Sequence, residues 1–108
     1  MRPPEILYMI VPCYNEQEVL PETARQLKEK YRFLIERSLI SPQSRIVFVN
    51  DGSSDETWSI IEKLHCDEPE FFSGINLARN SGHQNAVLAG LMTVKDICDV
   101  CILSLIHI

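Results

Sequence analysis

The chain has 108 residues, 45% of them hydrophobic and 23% charged, with a formal net charge of −5. That length allows one small domain, and the composition is that of a folded chain rather than a disordered one. The acidic balance argues against nucleic acid as a partner, because phosphates call for a clustered basic face. No stretch reaches the roughly 20 apolar residues of a membrane helix. Met1-Arg2, followed by two prolines and Glu5, is not a secretory signal, so the expected location is cytoplasmic.

Ile6 to Val11 (ILYMIV) is an unbroken apolar run, as in a strand buried on both faces. Pro12, which lacks an N–H, is expected to close it. Cys13, Tyr14, Asn15 and Glu16 form the next loop. Asn15 and Glu18 have the spacing of a capping box, which reads them as a helix start. From about Glu18 to Arg37, the residues Leu20, Ala24, Leu27, Tyr31 and Leu34 step by four and three and so share one helical face. Pro21 falls in the first turn, where a missing donor does little harm. Lys28, Lys30, Arg32 and Arg37 are interleaved with Glu29 and Glu36, the pattern of a solvated face. Ser38 to Ser44 connects to the next element.

Ile46 to Val49 (IVFV) is the second buried strand. The chemistry then changes to Asn50, Asp51, Gly52, Ser53, Ser54 and Asp55, residues that make turns and cap helices with their own side chains. Trp58, Ile61 and Leu64 follow at intervals of three, predicting a short helix that starts near Ser54 or Asp55. Asp51 is placed just past the strand. In an open parallel sheet, ligands settle outside the carboxyl ends of the strands, so Asp51 is the leading candidate for a functional residue.

Cys66 to Phe72 (CDEPEFF) reads as an acidic linker, and Ile75 and Leu77 as a short third strand. Ala78 to His83 is a third polar loop. Gln84 to Val94 predicts a helix whose small residues allow close packing on a sheet, and Asp99 to Leu103 opens a fourth strand. The order β-α-β-α-β-α-β predicts the α/β class: a parallel open sheet, flanking helices and right-handed crossovers. The loops carrying Tyr14-Asn15-Glu16, Asp51-Gly52 and Arg79-Asn80 would gather on one edge.

The chain has four cysteines, Cys13, Cys66, Cys98 and Cys101, at irregular spacing. Reduced thiols fit better than a disulfide framework. Cys98-x-x-Cys101 lacks a second such pair, and the bland reading is of small buried hydrophobes rather than a zinc or redox site. Neither G-x-G-x-x-G nor G-x-x-x-x-G-K-[ST] nor G-x-S-x-G is present. What remains is a rim of carboxylates, amides and one arginine. A strand-end carboxylate can accept from a ribose hydroxyl or a base N–H, and an arginine can hold a diphosphate. That set suits a nucleotide carrying a sugar.

VPCYNE at Val11–Glu16, VNDGSSDET at Val49–Thr57 and LARNSGHQNAVLAGL at Leu77–Leu91 resemble glycosyltransferase family 2, and within it the bacterial enzymes similar to dolichyl-phosphate mannose synthase. The resemblance covers about residues 5 to 102. It implies the N-terminal, nucleotide-binding half of a GT-A fold, in a parent that transfers a sugar from a UDP- or GDP-linked donor to a polyprenyl phosphate, at the cytoplasmic face of a membrane. It also implies nucleotide-sugar-binding roles for Pro12, Tyr14, Asn15, Glu16, Asp51, Gly52, Arg79 and Asn80. Asp51 would recognise the base, with Gly52 permitting close approach, and Asn15 would act more as a helix starter. Gly82 and His83 would shape the loop.

The family's Asp-x-Asp, which holds Mg²⁺ or Mn²⁺ on the donor diphosphate, is expected around positions 105 to 107, where this chain reads Leu105-Ile106-His107. The expectation is therefore an N-terminal fragment, residues 1–102, with a truncated or non-native tail at 103–108, no catalytic or metal residue of its own, and no activity alone. The alternative is a non-catalytic nucleotide- or protein-binding α/β module, which the apolar last strand would serve as a pairing edge.

Overall fold

The computed structural model describes residues 3–103, apart from the side chain of His83. Within them β1 (Leu7–Cys13), α1 (Leu20–Glu36), β2 (Arg45–Asp51), α2 (Thr57–Asp67), β3 (Phe72–Leu77), α3 (His83–Val94) and β4 (Val100–Leu103) follow in turn. The four strands form one sheet in the order β3-β2-β1-β4. Every pairing is parallel. This is the α/β architecture expected of the N-terminal half of a GT-A fold.

The order explains where the helices lie. The chain advances through β1, β2 and β3, then returns past β1 to place β4 on the far side. Right-handed crossovers put helices on opposite faces when the direction reverses. Accordingly α1 and α2 cover one face and α3 the other. Side chains alternate along each strand to serve both. Val11, Cys13, Ile46, Phe48 and Phe72 join Leu20, Ala24, Tyr31 and Ile61 in one cluster. Ile10, Val47 and Val49 join Ala86 and Val94 in the other.

Two glycines set how closely the helices approach. A Cβ on Gly74 would lie 2.5 Å from Ile61 Cγ2 and 3.2 Å from the Trp58 ring. On Gly90 it would lie 2.6 Å from Ile10 Cγ2. Tyr31, fully buried under α1, places its hydroxyl 3.1 Å from both Leu7 O and Arg45 O, which joins the helix to the starts of β1 and β2. Lys28 pairs with Glu68 and sits over the Phe71 ring, linking α1 to α2.

Several expectations are corrected. Pro12 does not close the first strand: β1 continues to Cys13, with Pro12 opposite Val49. Among the described residues β4 pairs with β1 as far as Ile10, so no described ladder runs beside Pro12 on the flank away from β2. Asp51 is the last residue of β2, opposite Leu77, rather than past it. α2 begins at Thr57 rather than near Ser54, because Asp55 turns its carboxylate onto the Thr57 N–H. The acidic stretch is shorter than expected, since α2 runs to Asp67 and β3 opens at Phe72. Leu103 belongs to β4, and the rest of the expected tail lies outside the described residues.

Candidate functional site

The carboxyl ends of β1, β2 and β3 each release a polar loop at the same edge of the sheet. The first two are stitched together, side chain to backbone. Asn15 N–H donates to Ser53 Oγ at 2.9 Å, and Asn15 Oδ1 accepts from Ser54 N–H at 2.9 Å. Glu16 N–H donates to Thr57 Oγ1 at 2.9 Å, and Gln17 N–H to Asp55 Oδ2 at 3.3 Å. Gln17 Oε1 accepts from Glu56 N–H at 2.9 Å.

Asn15 is thus not the cap of α1. Its φ is +52°, a left-handed backbone that Asn tolerates better than most residues. A turn closed by Glu16 O, which accepts from Val19 and Leu20 N–H, separates it from the helix. The first helical residue is Leu20, preceded by Val19 with no side-chain cap. The capping-box reading fails because the Asn15 amide is spent across the gap on Ser54.

The second and third loops meet still more closely. Asp51, 4% exposed, accepts Ser81 N–H at 2.8 Å. Gly52 has φ +68°, and a Cβ there would fall 2.1 Å from Asn80 N and 2.3 Å from Arg79 C. The close approach that Gly52 permits is to the Arg79–Asn80 peptide of its own chain. Asn50, buried at the end of β2, donates to Asn76 Oδ1 at 2.8 Å and accepts Ser53 N–H at 3.3 Å. Gly82, at φ +93°, precedes α3 and donates its N–H to Asn80 Oδ1 at 3.1 Å.

The structure therefore brings the eight candidates to one edge in different settings. Pro12 is buried within β1, Tyr14 is 47% exposed, and Glu16 is half-buried. Asp51 and Gly52 form the floor, while Arg79 and Asn80 are exposed on the rim. Residues passed over on sequence grounds hold the edge together: Ser53, Ser54, Asp55, Thr57 and Ser81. Their signal was the run of short polar side chains itself, whose Asx and hydroxyl groups bind backbone N–H groups.

Charge at the edge is set by hydrogen bonding. Partial burial pushes the Asp55 carboxyl up, but the Thr57 hydroxyl and the N–H groups of Thr57 and Gln17 outweigh it and hold it below the usual range. Cys13, 1% exposed, has its thiol pushed far up, first by burial and then by Glu16. Among the described residues, no group of three or more His, Cys, Asp and Glu side chains is arranged to hold a metal ion. The carboxylates described at this edge, those of Glu16, Asp51 and Asp55, are of the hard oxygen type that the implied cation takes but are not grouped to hold it. Cys98 and Cys101 are half-buried against the α3-side core, and burial, then Cys98, raises the Cys101 thiol. No helix among the described residues is long and apolar enough to cross a membrane.

Comparison with known proteins identifies the family. The family model described as Glycosyl transferase family 2 matches residues 8–97. The chain is 45% identical over 100 residues to "Uncharacterized glycosyltransferase YkoT" of Bacillus subtilis (strain 168), covering 93% of this chain and 29% of that protein. It is 36% identical over 86 residues to "Prophage bactoprenol glucosyl transferase homolog" of Escherichia coli (strain K12), covering 77% and 25%. It is 35% identical over 86 residues to "Undecaprenyl-phosphate 4-deoxy-4-formamido-L-arabinose transferase" of Enterobacter sp. (strain 638), covering 80% and 24%. The chain thus spans less than a third of these relatives' length. With a matching family model over most of its residues and the three loops in place, the chain belongs to glycosyl transferase family 2.

Proposed function

We propose that this chain supplies the donor-binding part of an enzyme that transfers a sugar from a UDP- or GDP-linked donor to a polyprenyl phosphate. The observation that carries this reading is the joining of three strand-end loops into one polar edge, where open α/β sheets bind ligands. The names of two relatives, which specify bactoprenol and undecaprenyl phosphate, support the acceptor class. Transfer itself is assigned to the whole protein, and donor binding to these residues.

Tyr14 offers an exposed ring beside Pro12 for the base, and Asn15 and Glu16 line the same side. Asp51 gives one oxygen to Ser81 N–H, so its other oxygen is the one assigned to the base. Gly52 seats the third loop, from which Arg79 reaches the diphosphate and Asn80 flanks it. Mg²⁺ or Mn²⁺ belongs to the family reading, and no step is assigned to it through these residues. Their own part is to bind and orient the donor.

Calorimetric titration of the chain with UDP and with GDP tests the reading. Saturable binding of either, lost in Arg79→Ala with unfolding unchanged, is the expected result. No heat with either nucleotide from a chain that unfolds cooperatively overturns it. A second reading, a protein-binding module, is favoured by the edge strand β4, where Val100, Ile102 and Leu103 are exposed. It predicts self-association in sedimentation, reduced by Ile102→Lys.

A further inference from the structure

The loop after β1 takes its shape from side chains of the loop after β2. Thr57 is central to this. Its residue is completely buried, and its hydroxyl has one proton and two lone pairs. The proton is given to Asp55 Oδ1 at 2.5 Å, which turns the oxygen's lone pairs toward the Glu16 N–H at 2.9 Å. Asp55 Oδ1 also accepts the Thr57 N–H at 2.9 Å, which fixes the carboxylate over the start of α2. The second oxygen, Oδ2, takes the Gln17 N–H at 3.3 Å. One carboxylate and one hydroxyl thereby set two successive backbone donors of the first loop. Neither side chain is among those assigned to the donor.

We propose that Asp55 and Thr57 are positioning residues for the nucleotide site: they hold the Tyr14–Glu16 backbone at the orientation in which it meets the donor. The proposal rests on the nucleotide reading above. Direction matters in this arrangement. Asparagine at 55 keeps the shape, but a single acceptor oxygen cannot serve Thr57 and Gln17 on opposite sides. Serine at 57 keeps the hydroxyl, and valine keeps the volume without it.

The test is calorimetric titration of UDP and GDP into the chain and into Asp55→Asn, Thr57→Ser and Thr57→Val, with amide hydrogen exchange at Asn15, Glu16 and Gln17. Loss of a charge-assisted hydrogen bond predicts binding weaker by about tenfold in Asp55→Asn and Thr57→Val. Thr57→Ser should stay within about twofold of the parent, since it retains the donor and acceptor. Faster exchange should be confined to residues 15–17 and to the Thr57 N–H that Asp55 holds. Ile61→Val, which loosens the core under α2 without touching the loop, should leave affinity unchanged, and so separates positioning from general destabilisation. If Thr57→Val does not fold, Asp55→Asn at the half-exposed rim decides the matter. Parent-like affinity in Asp55→Asn, or equal losses in Thr57→Ser and Ile61→Val, overturns the proposal. A parent chain that binds neither nucleotide overturns the nucleotide reading first, and is told apart by its failure without any substitution.

Discussion

The Cα of Gly52 lies directly against the backbone of Asn80: a Cβ placed on it would stand 2.1 Å from the Asn80 nitrogen. The contact joins the end of β2 to the loop after β3, and with φ at +68° no other residue type fits without strain. Gly52→Ala is expected to destabilise the fold by about 2–4 kcal/mol, combining a left-handed backbone penalty with overpacking against main chain. The urea midpoint at unchanged slope measures it, and the loss should be larger than for Gly82→Ala, where a Cβ meets nothing within 4 Å.

Alkaline pH should weaken the fold through two buried acids. Burial raises the Tyr31 phenol and the Cys13 thiol above their ordinary values. A group whose folded value is raised adds stability that is complete below the unfolded value and lost as pH climbs toward the folded one. Stability should therefore decline from about pH 8.5 for the thiol and from about pH 10 for the phenol. Tyr31→Phe should remove the later phase. At neutral pH it should cost about 1–2 kcal/mol, because the Leu7 and Arg45 carbonyls lose the hydroxyl between them.

The cysteines should separate by reactivity. Cys66 is exposed, Cys98 and Cys101 are half-buried, and Cys13 is enclosed. Because only a thiolate attacks, an aromatic disulfide reagent at pH 7.5 should modify Cys66 first and Cys13 only on unfolding. Early reaction at Cys13 would contradict its burial beside Val11 O, to which its Sγ–H donates at 3.4 Å.

Acid should release the first loop before it unfolds the sheet. Asp55, held below the ordinary carboxylate range, contributes above its unfolded value of about 3.9 and stops contributing as pH falls through its lower folded value. Exchange protection at Gln17 and Thr57 should fall there while that of Phe48 in β2 persists. Asp55→Asn should show the loss already at neutral pH.

How much was legible in the chain alone follows from the range of the forces involved. Ile6–Val11 and Ile46–Val49 announce buried parallel strands because a strand covered on both faces must be apolar without interruption. Leu20, Ala24 and Tyr31 announce α1 because local geometry puts them on one side. The alternation of these elements determines the α/β class and, through crossover handedness, the common edge of the three loops. Element ends were less legible. Pro12 stays in β1, paired opposite Val49, and α1 starts after Asn15 because that amide bonds Ser54, 39 residues on. Whether Gly52 faced a ligand or its own chain, and that Asp55 and Thr57 shape the first loop, only the tertiary structure decided. Those outcomes depend on hydrogen bonds and van der Waals contacts between residues 27 to 41 apart in sequence, whose partners no local pattern specifies.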